Sequence, residues 1–372
     1  MLGGVVLAVN RPHPVAQAAV HRGVPAVATS SQPDVLELGF VSANTGFTEV
    51  THRLHTSADG LFRTDDGGRT WHLLWEGPRT LFQFVDPDHG FLFGDRNPGL
   101  LATVDGGNQW TLLQWPKPGM PAAAAFAPAG AGLAVFPGSS ELVAGARPAV
   151  VYRTADAGRT WTPTATLYGP SDRAPATDYV AGLGLTAGGL AWLLFDSGLS
   201  RSLWVSRDGG SSWSRVQLPV SPDPGLVDPD LHLDGRSGSL VVTTQWVSGP
   251  VNVNGPGISF PEPTGPIPTY LYQLQPDGSG WRPLELPSQP FGEYAAALAG
   301  DGSGFLLGGR DDCRITATYT NACTFAGLGD VAVDRLDILD ANAMVAFDHR
   351  FGLSFRSDDA GGHWRLLSPP RG

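Results

Sequence analysis

Residues 64–71 read TDDGGRTW: a hydroxyl, two acids, two glycines, a cation, a second hydroxyl and an indole. The stretch recurs as TVDGGNQW (103–110), TADAGRTW (154–161), SRDGGSSW (206–213) and SDDAGGHW (357–364), with a shortened copy, QPDGSGW, ending at Trp281. The shared pattern is [S/T]-x-D-x-G-x-x-W. An Asp in a tight turn accepts hydrogen bonds from nearby backbone N–H groups. Gly reaches positive φ without steric cost, and the Trp buries a large apolar surface beneath the loop. Each copy is therefore a self-sufficient hairpin turn.

A catalytic site is built once, whereas this turn is built again and again. The expected role of Asp66, Asp105, Asp156, Asp208, Asp277 and Asp359, with Trp71, Trp110, Trp161, Trp213, Trp281 and Trp364, is structural. Asp-Gly loops also suit calcium, but no copy has the dense carboxylates and terminal Glu of an EF-hand loop. No metal is expected. The pattern resembles the Asp-box, or BNR repeat, of sialidases, sortilin-type receptors, some xyloglucanases and the photosystem II stability/assembly factor family. That resemblance implies a turn between the third and fourth strands of a propeller blade. It fixes a fold rather than a function, since enzymes and non-enzymes share the box.

Each box follows a second repeating unit: an apolar strand, a polar turn often ending in Gly, and another apolar strand. FQFVDPDHGFLFGDR (82–96) is the clearest copy. Seven such front halves occur against six boxes, and the sixth is followed instead by CRITATYTNAC (313–323). The period of roughly 50 residues is that of propeller blades. The expected fold class is all-β: a single seven-bladed β-propeller of four-stranded antiparallel blades, spanning residues 35–368. Abundant Gly (49) and Pro (32), with 11 Trp and a single Lys, agree with short strands and many turns.

Residues 1–34 form the remaining segment. Leu2–Val9 is too short to span a bilayer, and VAQA (15–18) fits a signal-peptidase site although a basic leader is missing. A signal-like segment and a disordered tail are both open, and a secreted or extracytoplasmic location is the expectation carried forward. The only cysteines, Cys313 and Cys323, lie ten residues apart where the sixth box is missing. A disulfide that closes the hairpin fits an exported protein; two buried thiols are the other reading.

The net charge of −11 argues against nucleic acid and anionic membranes as partners. Within this acidic chain, arginines recur at the end of the second strand: Arg53, Arg96, Arg310 and Arg350, in blades one, two, six and seven. These blades are neighbours in a closed ring. Converging guanidinium groups suit a carboxylate, phosphate or sulfate; alternatively each pairs with a local acid such as Asp95, Asp311, Asp312 or Asp348. The resemblance places enzyme sites of this fold on the face opposite the boxes, where these strand ends lie.

Two functions follow. One is a non-catalytic binding or assembly protein, monomeric, without cofactor, that takes a protein partner or an anionic small ligand at that rim. In length, blade number and layout it resembles the photosystem assembly factors. The other is a sialidase-like glycosidase, for which Glu293 and Tyr294 form the only adjacent Glu/Tyr pair. The Arg-Ile-Pro motif of that family is absent, GLGLTAGG (182–189) precedes strands rather than a helix, and the binding protein is favoured.

Overall fold

The computed structural model describes residues 34–51, 60–76, 81–94, 97–138, 148–169, 179–196, 201–219, 226–234, 240–248, 269–275, 280–284, 295–298, 304–307, 312–315, 322–324, 328, 333, 335–348, 352–368 and 370. About two thirds of them are strand and most of the rest form the turns between strands. The one helical turn is a 3-10 element at Pro128–Gly130, and no described helix is long and apolar enough to cross a membrane.

Strands group into four-stranded antiparallel sheets, each made of four consecutive strands, A to D, paired in chain order. The first sheet joins Asp34–Phe40, Gly46–Thr51, Gly60–Thr64 and His72–Glu76; the second, Leu81–Phe84, Gly90–Gly94, Asn97–Thr103 and Thr111–Leu113. The third joins Ala123–Phe126, Gly132–Pro137, Pro148–Thr154 and Thr162–Tyr168; the fourth, Tyr179–Leu185, Ala191–Asp196, Arg201–Ser206 and Ser214–Val216. The last comprises Arg335–Ile338, Met344–Asp348, Leu353–Ser357 and Arg365–Leu366. These five are clear propeller blades with described side chains. Between the fourth and the last, backbone pairing defines two more sheets. They are Leu226–Asp234, Val241–Ser248, Thr269–Leu274, Trp281–Leu284, and Ala295–Leu298, Gly304–Leu307, Asp312–Ile315, Ala322–Thr324.

Strand B of a blade is covered on both faces by neighbouring blades, so it reads as a continuous apolar run rather than an alternating one. GLAVFP is buried along its first five residues and AWLLFD likewise. Strand D is the outer edge, and its side chains open to solvent, as in HLLWE and TLL. A second regularity lies in the A–B hairpin. Phe40, Phe84 and Phe126 end strand A directly opposite Gly46, Gly90 and Gly132. A Cβ on these glycines would meet the Phe ring at 2.4–2.7 Å; the ring lies where a side chain would stand. Phe47 then stacks on Phe84 of the next sheet (3.4 Å, 5°), and Phe91 on Phe126 (3.7 Å, 10°).

The core is a series of apolar wedges between consecutive sheets, not one central mass. Val41, Phe47 and Leu61 meet Phe82, Phe84 and Leu92 between the first and second sheets. Similar wedges join the second to the third, the third to the fourth, and the fourth to the fifth. Leu38, Phe40, Val50 and Phe62 of the first sheet meet Val345 and Phe347 of the last, with Leu367 just beyond it, so the two end sheets pack as neighbours. Among the described residues no strand is exchanged between them.

Candidate functional site

Five boxes are described, each the C–D turn of its blade. The hydroxyl ending strand C (Thr64, Thr103, Thr154, Ser206 or Ser357) donates to the box Asp at 2.7–2.9 Å. It also accepts from the glycine N–H four residues on, at 2.8–3.0 Å. The Asp Oδ1 accepts from the backbone N–H of Thr70, Gln109, Thr160, Ser212 or His363 at 2.8–2.9 Å. In three boxes Oδ2 accepts the hydroxyl of Thr70, Thr160 or Ser212 at 2.6 Å, and His363 Nδ1 takes that place on Asp359.

Donors converging on a carboxylate favour its charged form. The Thr70 hydroxyl and N–H hold Asp66 far below the usual carboxylate range. Asp156, Asp208 and Asp359 lie at about 2, held chiefly by the side chains of Thr160, Ser212 and His363. Asp105 is lowered chiefly by the Gln109 N–H. These carboxylates are committed to the turn and are poor proton carriers near neutral pH.

Two residues after the Asp have positive φ. The first is Gly67, Gly106, Ala157, Gly209 or Ala360, and its N–H donates to a carbonyl of the A–B turn at 2.8–2.9 Å. The second is always Gly, with φ between 83° and 96°. Close approach adds to that requirement: a Cβ at Gly68, Gly107, Gly158 or Gly210 would lie 2.4–2.8 Å from Leu367, Leu74, Leu100 or Leu133 on the preceding sheet. The box Trp enters the same wedge, and the indoles of Trp71 and Trp281 donate to Ser368 O (3.2 Å) and Gln217 O (2.7 Å), at the ends of the preceding sheets.

Arginines tie several boxes to the following one. Arg63, next to the hydroxyl in strand C, grips Asp65 through Nε and NH2 (2.8–3.1 Å). Its NH1 donates to Pro87 O (2.8 Å) and Gly106 O (3.1 Å) of the second sheet. Arg153 donates to Gly209 O (3.1 Å) and Arg207 to Gln275 O (3.2 Å). At the closing seam Arg365 donates to Gly67 O (3.0 Å), while Arg356, paired with Asp358, lies over the Phe40 ring. On the innermost strands the buried Gln83 side chain bonds both N–H and C=O of Phe126 (2.8 and 2.7 Å). Arg335 bridges Glu37 and Asp337 across the end sheets, and these two carboxylates raise its already high pKa further against burial.

Sequence reasoning missed these clasps. The signal was present in the aromatic–Arg–hydroxyl runs FRT (62–64), YRT (152–154) and FRS (355–357). The arginines it singled out, Arg53, Arg96, Arg310 and Arg350, lie outside the described residues, as do Asp277, Glu293 and Tyr294. Each of the four arginines follows the end of strand B by two or three positions, in the first, second, sixth and last sheets. Besides the packed end sheets, the innermost strands of the sixth and last sheets adjoin. Cys313 and Cys323 are register partners across strands C and D of the sixth sheet.

Box turns of this kind between outer strands of four-stranded blades define an Asp-box β-propeller. The BNR/Asp-box repeat is recognised at residues 62–73, and no curated protein matches the chain in sequence. Among solved structures, YCF48 bound to D1 peptide is 17% identical, covering 76% of this chain and 78% of that one, with a TM-score of 0.42. An ancestral GH74 enzyme is 14% identical over 89% of this chain and 44% of its own (TM-score 0.50). A prolyl endopeptidase is 10% identical over 91% and 50% (TM-score 0.53). The chain thus spans about half the length of these two enzymes, and likeness at such identities shows the fold alone.

Proposed function

We propose that the chain is a non-catalytic, monomeric, extracytoplasmic propeller of seven blades over residues 35–368, preceded by a signal-like or disordered segment, residues 1–34. It binds a protein partner or an anionic ligand through Arg53, Arg96, Arg310 and Arg350. The observation that carries this reading is the commitment of the box face. Its regular carboxylates are tied into turns, and its arginines Arg63, Arg153, Arg356 and Arg365 are bound to neighbouring boxes or acids. The recurrent arginines after strand B belong to the opposite ends of the strands, in four sheets that follow one another around the ring. Seven four-stranded sheets with packed end sheets support the blade number.

Retention on immobilised dextran sulfate, a polyvalent anion, tests the rim. It should weaken with salt, since exposed charges are screened beyond about 10 Å at 0.1 M. Arg96→Glu with Arg350→Glu should abolish it, while Asp66→Ala should not. Unchanged retention of the double variant overturns the assignment. A panel of fluorogenic sialosides and other glycosides gives the opposing test: turnover lost in Glu293→Gln or Tyr294→Phe would establish a glycosidase.

A further inference from the structure

In the sixth sheet the C–D hairpin carries no Asp-box. Its strands Asp312–Ile315 and Ala322–Thr324 pair as Asp312↔Thr324, Cys313↔Cys323 and Arg314↔Ala322. Directly opposed residues of an antiparallel pair share one face of the sheet, and their Cα atoms stand about 4.5 or 5.5 Å apart according to the ladder position. Both values fall in the range of roughly 4.4–6.8 Å that a disulfide spans. A one-residue slip in register would put the two on opposite faces. The only two cysteines of the chain are therefore aligned by the backbone at the hairpin where the box is missing.

We propose that Cys313 and Cys323 form a disulfide that closes the sixth blade in place of a box. Elsewhere the Asp carboxylate gathers the turn's N–H groups; here a covalent bond between strands C and D does the same work of holding the hairpin shut. The two thiols lose two protons and two electrons to a disulfide oxidant, which is reduced to its two thiols. With oxidised glutathione, one cysteine thiolate displaces one glutathione thiolate, and the second cysteine then attacks the mixed disulfide and releases the other. Two thiols alone do not complete a tetrahedral metal site, and the bond would persist in an oxidising compartment.

Full-length protein equilibrated with oxidised glutathione, then denatured in N-ethylmaleimide, should take up no label and weigh two hydrogens less than the reduced chain. After reduction it should take up two labels. Two labelled thiols without reduction, a glutathione adduct or a linked dimer would overturn the proposal. Tryptic cleavage after Arg314, inside the closed loop, should be faster in the reduced native protein by at least on the order of tenfold, as expected for opening a short cross-linked loop. Equal cleavage rates would overturn the claim that the bond holds the hairpin.

Discussion

Substituting the two adjacent glycines of the fourth box separates backbone strain from close packing. Gly209 and Gly210 both have positive φ, 69° and 88°. A Cβ on Gly209 would meet nothing nearer than Arg153 Nε at 3.7 Å, and Ala157 and Ala360 already occupy this place at φ 58° and 56°. A Cβ on Gly210 would stand 2.4 Å from Leu133 Cδ2 and 3.2 Å from Cδ1, with Leu133 fully buried between the third and fourth sheets. Gly209→Ala incurs only the left-handed penalty of about 1–2 kcal/mol, offset by roughly 0.4–1 kcal/mol from the less flexible unfolded chain. Gly210→Ala adds overpacking of about 1–3 kcal/mol, for a total of roughly 2–5 kcal/mol before the same offset. At about 2 °C per kcal/mol for a chain of this size, and with the offset applied to both, its melting temperature should fall by roughly 2–9 °C, against about 3 °C or less for Gly209→Ala. In a Leu133→Ala background the Gly210→Ala cost should shrink by about 1–3 kcal/mol, since the two sites share one contact. Equal costs for the two glycines, or zero coupling to Leu133, would refute the argument that the second glycine is fixed by the blade before it.

Melting temperature should hold steady from pH 7 to about 4.5 and then drop. Asp156, Asp208 and Asp359 have folded-state values depressed from 3.8 to about 2, and Asp66 and Asp105 are lowered as well, so their stabilisation is fully present above the unfolded value and is lost as pH falls through the folded ones. A flat profile down to pH 2.5 would remove this account. Arg63→Met should cost about 1–3 kcal/mol in chemical denaturation by stranding the carbonyls of Pro87 and Gly106, whereas the exposed Arg69→Ala should stay within about 0.5 kcal/mol; similar values for both would discount the clasp. Arg335→Met leaves Glu37 and Asp337 without their shared cation; because the pair is only half-buried, the cost should fall between the exposed and the fully buried cases, about 1–3 kcal/mol. A loss below 1 kcal/mol would mean the closing seam is held by its apolar wedge alone.

The blade was legible because its parts are local in sequence. Hydroxyl, Asp, glycines and Trp sit within eight residues, and their hydrogen bonds close inside the turn, so TDDGGRTW states its own geometry. The A–B hairpin was half legible: the Gly that begins strand B was visible, but its pairing with a Phe six residues earlier was not. What connects the blades was not legible. Arg63 is 43 residues from Gly106, and Arg365 is 298 from Gly67. No spacing rule links such residues before the ring is assembled. The arginines that drew notice did so by repetition after strand B, yet Arg63, Arg153 and Arg356 also recur, one residue ahead of the box pattern.

These connections explain why one turn recurs so faithfully while its flanks drift. A box does two jobs: its Asp closes its own hairpin, and its second Gly and Trp receive the preceding blade. In three of the five described boxes an arginine also reaches from the previous blade to the carbonyl of the first residue after the Asp. A change in the Asp is felt in one blade, but a change in the second Gly is felt in two, and here Ala replaces Gly only at the first position. The end sheets join by the same parts, with Gly68 against Leu367, Trp71 on Ser368 and Arg365 on Gly67. To these the seam adds the half-buried ion pair of Arg335 with Glu37. The charge pair thus sits at the one seam that the chain does not itself connect. The interior seam between the second and third sheets carries a neutral link on its innermost strands, Gln83 on the backbone of Phe126.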